Sequence, residues 1–296
     1  MLNENWSSYL VTDIIVTENL TKNYGKVKAV QNLNLNIHSG EVFGFLGPNG
    51  AGKTTTIRML TTLTKPTSGR ALVNGFDVVT QSNKVKQEFG IAQQHMSLDR
   101  DLNVIENMEL HARMHHIGGA ERKQRIEELL EFVGLTEYAD RMVMTLSGGL
   151  KKRAMIVRAL IHRPKILFLD EPTVGLDAQT RRKIWELIRK LNRDGTSIFL
   201  TTHYIEEAEA LCNRVGVLHQ GKLVTVGEPL ELRKKLGLFT VETLCADLGA
   251  QYNYFPDEQA AKKYVQMLPQ NLKTIIIRES NLEDVFVELT GQKVSA

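Results

Sequence analysis

Apolar and polar residues change their spacing several times along this chain, and each change marks an element. From Ile14 to about Gly40 short runs dominate: IIVTENL, then AVQNLNLNI at 29–37, where apolar and polar positions alternate as in a half-buried strand. EVFGFL at 41–46 is a short apolar run of the kind buried on both faces; a glycine-rich turn and a helix starting near Gly52 follow it. Residues 101–146 switch to helical spacing, with Ile126, Leu129, Leu130 and Val133 at i, i+3, i+4 and i+7, and Gly134 stopping that helix. Strand and helix alternate again from 165 to about 226, with ILFL (166–169) and IFL (198–200) as strand cores and Ile184, Leu187, Ile188 and Leu191 on one helix face. After Leu236 the texture changes once more. FTVETL and KTIIIRES read as strands, and two short amphipathic helices carry Ala261, Tyr264, Val265 and Leu268, then Leu282, Val285, Phe286 and Leu289. The second is expected to start at an Asn281 cap and to pack on KTIIIRE.

The pattern divides the chain into a tail at 1–13, an α/β unit over 14–235 whose stretch at about 95–150 is mostly helical, and a small α+β accessory unit over 236–296. Composition adds exclusions. The 296 residues are 42% hydrophobic and 24% charged, which suits a globular protein with a sizeable core. A formal charge of +3 is far from that of a nucleic-acid-coating protein. The two cysteines, Cys212 and Cys245, form neither a disulfide framework nor a metal-ligand spacing and are expected as reduced thiols. MLNENWSSYLVTD lacks the basic and apolar regions of a secretory signal, and the apolar runs are far shorter than the ~20 residues of a membrane helix. The chain is expected not to span a bilayer.

Chemistry enters at GPNGAGKTT. Gly47, Pro48, Asn49, Gly50, Ala51, Gly52, Lys53 and Thr54, with Thr55 after them, fit G-x-x-x-x-G-K-[ST] between a strand and a helix. Such glycines let backbone N–H groups wrap phosphates at a helix N-terminus, Lys53 reaches the β- and γ-phosphates, and Thr54 offers a hydroxyl to Mg²⁺. KILFLDEPT ends an apolar run in Asp170 and Glu171, placing two acids at the mouth of a parallel sheet. Asp170 suits Mg²⁺ held through water, and Glu171 suits alignment and deprotonation of an attacking water. A second glycine pair, in LSGGLKKR from Leu146, is then unexplained, because one nucleotide does not need two glycine cradles. Locally it is also simply a serine N-cap followed by flexible glycines.

Together these motifs resemble the ATP-binding subunit of an ABC (ATP-binding cassette) transporter. The resemblance covers about residues 14–230 and rests on Tyr24 in NLTKNYGKVKAV, the GPNGAGKTT loop, Gln94 in GIAQQHMSLD, LSGG, LDEPTVGLD and TTHYIEEAEAL, in the family's order. It implies a P-loop NTPase core of ABC ATPase type: a RecA-like α/β core with an antiparallel β subdomain and a helical subdomain. It also implies that two cassettes pair head to tail, so that Ser147, Gly148 and Gly149 of one cap the ATP held by Gly47–Thr55 of the other. By the same resemblance Tyr24 stacks on adenine and Gln94 senses the γ-phosphate and Mg²⁺ together with Thr54 and Asp170. His203 is the switch residue beside the attacking water, and Asp177 faces the partner while capping its own helix.

Many family members have glutamine where this chain has Leu150. A hydrophobic residue followed by Lys151, Lys152 and Arg153 resembles the drug- and polysaccharide-export branch, and SNLEDVFVELTG (280–291) resembles the tail of daunorubicin-resistance-type exporter ATPases. The basic run itself reads as a solvated helix face. The resemblance thus implies a MgATP-driven ATPase, peripheral on the cytoplasmic face of the inner membrane, with a second cassette (a homodimer) and a separate integral permease as partners. The permease docks between Gln94 and the 101–146 helices, and no nucleic-acid partner is expected. Two alternatives stay open, a soluble cassette acting on ribosomes or DNA and an import ATPase. His111 and His115 form an i, i+4 pair, but no carboxylate or cysteine pattern supports a metal site there.

Overall fold

The computed structural model describes residues 13–95, 97–245, 249–268 and 274–291; of the tail expected at 1–13, residues 1–12 lie outside them and Asp13 is instead the first residue of a strand. Strands β1 (Asp13–Tyr24) and β2 (Val27–His38) form an antiparallel pair across Gly25, whose φ of 57° suits glycine in so tight a turn. β3 (Val42–Leu46) has every residue buried and leads through the glycine loop into α1 (Lys53–Leu60). β4 (Ser68–Val73) and β5 (Phe76–Asp77) return to complete a four-stranded sheet in the order β2-β1-β4-β5. α2 (Ser82–Glu88) and β6 (Phe89–Ala92) precede the helical stretch of α3 (Val104–Met114), α4 (Gly119–Phe132) and α5 (Gly148–Leu160).

Strand and helix then alternate: β7 (Ile166–Asp170), α6 (Ala178–Arg193), β8 (Ser197–Thr202), α7 (Ile205–Leu211), β9 (Arg214–His219), β10 (Lys222–Gly227) and α8 (Pro229–Leu236). A six-stranded sheet results, in the order β10-β9-β3-β8-β7-β6, parallel except at the β10–β9 edge. Its central strands are buried on both faces, which is why they read as unbroken apolar runs. Alternation still shows in what they touch. Ile166 and Phe168 face the core shared with the antiparallel sheet and α1, whereas Leu167 and Leu169 face the core built with the helices. The rings of Phe43, Phe45 and Phe168 lie 5.5–5.8 Å from that of Phe199; burying each contributes about 1.5–3 kcal/mol. Register brings Leu46 opposite Thr202 and Asp170 opposite Thr201, so the C-terminal ends of β3, β8 and β7 meet at one edge.

The last strands, β11 (Phe239–Cys245), β12 (Gly249–Phe255) and β13 (Thr274–Glu279), form an antiparallel sheet in the order β12-β11-β13, packed by α9 (Glu258–Gln266). α10 (Leu282–Thr290) starts at the expected Asn281 cap, reinforced by a capping box with Asp284. Its apolar face departs from expectation. Leu282, Val285 and Phe286 join the helical-side core with Leu211, Val215 and Leu232 instead of packing on KTIIIRE, where Ile275 and Ile276 stay exposed. The link to β13 is polar: the two terminal guanidinium nitrogens of Arg278, Nη1 and Nη2, donate to Asp284 at 2.6 and 2.7 Å. No helix among the described residues is long and apolar enough to cross a membrane.

Candidate functional site

The glycine loop owes its shape to crowding. A Cβ on Gly47 would sit 2.3 Å from the Leu218 carbonyl oxygen, and one on Gly52 (φ 109°) 2.4 Å from that of Ala29. No side chain caps α1, so its first N–H groups face the loop. A cavity of about 420 Å³ opens there. It is lined by Val27, Lys28 and Ala29 after the β1–β2 turn, by Asn49, Gly50, Gly52, Lys53, Thr54 and Thr55 of the loop and α1, and by Gln94, Glu171 and Gln220. Gly47 and Pro48 act through their carbonyls, which accept from Lys53 Nζ at 2.7 and 3.1 Å. Ala51 is buried beneath the loop. Tyr24, at the end of β1, is not among the residues lining this cavity; it is 46% exposed, with the Lys22 ammonium 5.0 Å from its ring centre.

The two acids lie where β7 ends. Asp170 Oδ1 accepts from Thr201 Oγ1 at 2.6 Å and from Thr54 Oγ1 at 3.3 Å. Glu171 adopts φ 48°, a left-handed backbone that costs a non-glycine residue energy and is held here by two bonds to Thr201. Its carboxylate is the hub of the site. Oε1 lies 3.4 Å from Lys53 Nζ and 3.3 Å from His203 Nδ1, and Oε2 accepts from Gln94 Nε2 at 3.3 Å. Burial pushes the Lys53 ammonium below its ordinary range, with Glu171 pulling the other way. His203 Nδ1 is buried and lacks an aligned hydrogen-bond partner despite its closeness to Glu171. Thr54, Gln94 and Asp170 offer only oxygen ligands (hydroxyl, amide carbonyl, carboxylate), a set suited to a hard divalent cation.

The second glycine pair sits elsewhere. Ser147 caps α5, its Oγ accepting from Leu150 N at 3.4 Å, and a Cβ on Gly149 would meet Thr180 Cγ2 at 2.3 Å. Asp177 caps α6 as expected, accepting from Thr180 N and Oγ1 at 2.9 and 2.6 Å. Ser147, Gly148 and Gly149 do not line the phosphate-loop cavity of their own chain.

The basic run after them is half-buried rather than a fully solvated face. Lys151 donates to the Met144 carbonyl and Arg153 to that of Val133, while Lys152 reaches the Gln94 and Glu171 carbonyls at 3.1 and 3.5 Å. Read as a solvated face, these residues instead reach backbone carbonyls of the segments beside α5 and are partly shielded by them. Lys152 and the buried Glu207, which accepts from Thr173 Oγ1 and Trp185 Nε1, are therefore supporting residues that sequence reasoning missed. Neither has a motif of its own.

His111 and His115 gain a third histidine, His162, from the end of α5. The His115 and His162 rings stack in parallel, 3.9 Å apart and 6° from coplanar, so their in-plane lone pairs do not converge on a common ion. His162 Nε2 is engaged by the Phe89 carbonyl. Burial pushes His111 down to about 3 and His162 to about 4.

A family model described as ABC transporter matches residues 30–174. The linearmycin resistance ATP-binding protein LnrL of Bacillus subtilis is 41% identical, with 94% of this chain and 99% of that protein covered. The chain belongs to the ABC transporter family. The daunorubicin/doxorubicin resistance ATP-binding protein of Streptomyces peucetius is 34% identical over 95% of this chain and 93% of its own. Among solved structures, a dimeric post-hydrolysis state of the ATP-binding cassette MJ0796 bound to ADP and Pi aligns with a TM-score of 0.66 and 32% identity. That alignment covers 98% of that cassette but 72% of this chain. This ABC protein is thus an ATP-binding subunit and an ATPase, as its motifs implied.

Proposed function

We propose that two copies of this chain pair head to tail around two ATP molecules and drive a separate membrane permease that exports a drug-like, lipidic or polysaccharide compound. Residues 14–235 act as the cassette, with a helical subdomain at about 95–150, and 236–296 as the accessory domain. The observation that carries the reading is the Glu171 carboxylate, on which Lys53, Gln94 and His203 converge within 3.4 Å from three separate segments of the chain. Such convergence suits phosphoryl transfer, where catalysis is chiefly positioning and electrostatics.

Lys53 and the loop N–H groups neutralise phosphate charge, and Tyr24, exposed at the end of β1, stacks on the base. Glu171 accepts a proton from the attacking water, and His203 directs its free Nδ1 toward the same place. Thr54, Gln94 and Asp170 hold Mg²⁺, which when bound supplies charge neutralisation on the phosphate oxygens. Ser147–Gly149 leave their own cavity untouched and so have a surface to offer the partner's ATP, which accounts for the second glycine pair. The export branch is supported by the relatives' names, which concern resistance to linearmycin and to daunorubicin and doxorubicin. The position of the protein is then the cytoplasmic face of the inner membrane.

The test is Glu171→Gln. It is expected to bind ATP, to lose hydrolysis by on the order of a hundredfold to ten-thousandfold, and to accumulate as an ATP-dependent dimer in size-exclusion chromatography. Parental hydrolysis in this variant would remove Glu171 from the role of base.

A further inference from the structure

We propose that Lys152 is a positioning residue for ATP hydrolysis, bracing the backbone carbonyls of Gln94 and Glu171 so that helix α5 sets where the base sits. Its ammonium lies 3.1 Å from the Gln94 carbonyl and 3.5 Å from that of Glu171, thereby joining three segments through one charge. Both partners need such a brace. Glu171 holds a left-handed backbone at φ 48°, a conformation that persists only where the surroundings enforce it. Thr201 fixes the amide side of that residue, and Lys152 meets its carbonyl side. Gln94 lies beyond the end of β6, outside any strand or helix, and its side chain must reach Glu171 Oε2.

Burial pushes the Lys152 ammonium below its ordinary range, and the carboxylates of Asp170, Glu171 and Glu207 oppose that push by attraction. A glutamine or methionine there would fill space without that attraction.

The position of Lys152 has a further consequence, which rests on the head-to-tail pairing proposed above. α5 begins at Ser147, which faces the partner's ATP in that pairing, and Lys152 follows five residues later on the same helix. One rigid element thus touches one nucleotide at its tip and braces the base of the other site from its second turn. Thr180 packs against Gly149 too closely to admit a Cβ, which limits sliding of that tip against α6.

The experiment compares Lys152→Met and Lys152→Arg in the full-length chain by steady-state ATP hydrolysis and by equilibrium binding of a fluorescent ATP analogue. Lys152→Met is expected to lower kcat by on the order of tenfold to a hundredfold, the scale of a misplaced reacting group. KM and nucleotide affinity should stay within about twofold, because Lys152 does not line the nucleotide cavity. Lys152→Arg, still cationic, should restore most of kcat. A parental kcat in Lys152→Met overturns the proposal, as does a loss matched by weaker nucleotide binding and not rescued by arginine. The pairing is read separately, by adding Lys152→Met to Glu171→Gln. An ATP-dependent dimer in the double variant supports action on the base after closure. Its loss, while Glu171→Gln alone still dimerises, overturns that action in favour of a role in closing. If Glu171→Gln alone fails to dimerise, the pairing falls, and kcat still decides on the brace.

Discussion

The two glycine segments of this chain are built to opposite designs. At Gly47–Thr55 the helix that follows has no side-chain cap, its lysine is folded back onto the loop carbonyls, and the loop bounds a cavity that Glu171 also lines. At Ser147–Gly149 the helix is capped by its own serine, Gly149 is packed too closely against Thr180 to admit a Cβ while Gly148 is exposed, and no part of the segment reaches that cavity. One segment is a whole cradle; the other is a finished surface without a ligand of its own chain. Similar residues therefore do different work: glycine in the first admits an anion, and glycine in the second admits a neighbouring helix.

This contrast can be broken at several points. The largest effect is expected from Lys53→Ala, which removes a buried cation that faces the phosphate cavity. Hydrolysis should fall by on the order of a thousandfold, with ATP binding by calorimetry weakened as well. Ser147→Ala should separate the two segments. Equilibrium ATP binding to the monomer should remain parental while kcat drops by on the order of a hundredfold; weakened monomer binding would mean that the serine serves its own chain's nucleotide.

Gly149→Ala tests the packing role. Its Cβ would meet Thr180 Cγ2 at 2.3 Å, so overpacking should cost about 1–3 kcal/mol, read as a lower urea midpoint. Adding Thr180→Ser removes that methyl and keeps the hydroxyl that bonds Asp177, so the double variant should recover stability. An equal loss in single and double variants would rule out the contact as the cause.

The smallest effect concerns the histidine cluster, remote from both glycines. His111 and His162 take up protons near pH 6.5 when unfolded but only near pH 3 and 4 when folded, chiefly because they are buried. The unfolded chain binds more protons in between, so the stability these groups contribute is complete above pH 6.5 and is lost as pH falls toward 4. His111→Gln should flatten that fall between urea midpoints measured at pH 7 and pH 5; an unchanged slope would assign the acid sensitivity elsewhere.

Sequence alone determined what local rules can determine. Apolar runs without alternation placed β3, β7 and β8 because a parallel sheet buries both faces, and the phosphate loop was legible because its chemistry lies in consecutive residues. The same holds for the caps at Ser147, Asp177 and Asn281, each a matter of three or four neighbours. What only the tertiary structure decided are meetings between distant segments. Helical spacing could not tell that Lys151, Lys152 and Arg153 reach backbone carbonyls of the segments beside α5. The i, i+4 rule found His111 and His115 but not His162. The apolar face of α10 was visible, yet its choice of the core near Leu211 and Leu232 over β13 was not. Nor was the left-handed backbone of Glu171, whose amide bonds to Thr201 and whose carbonyl Lys152 approaches, each from another element. A face, a cap or a loop is a property of neighbours in the chain, whereas a partner is set by how the whole chain packs.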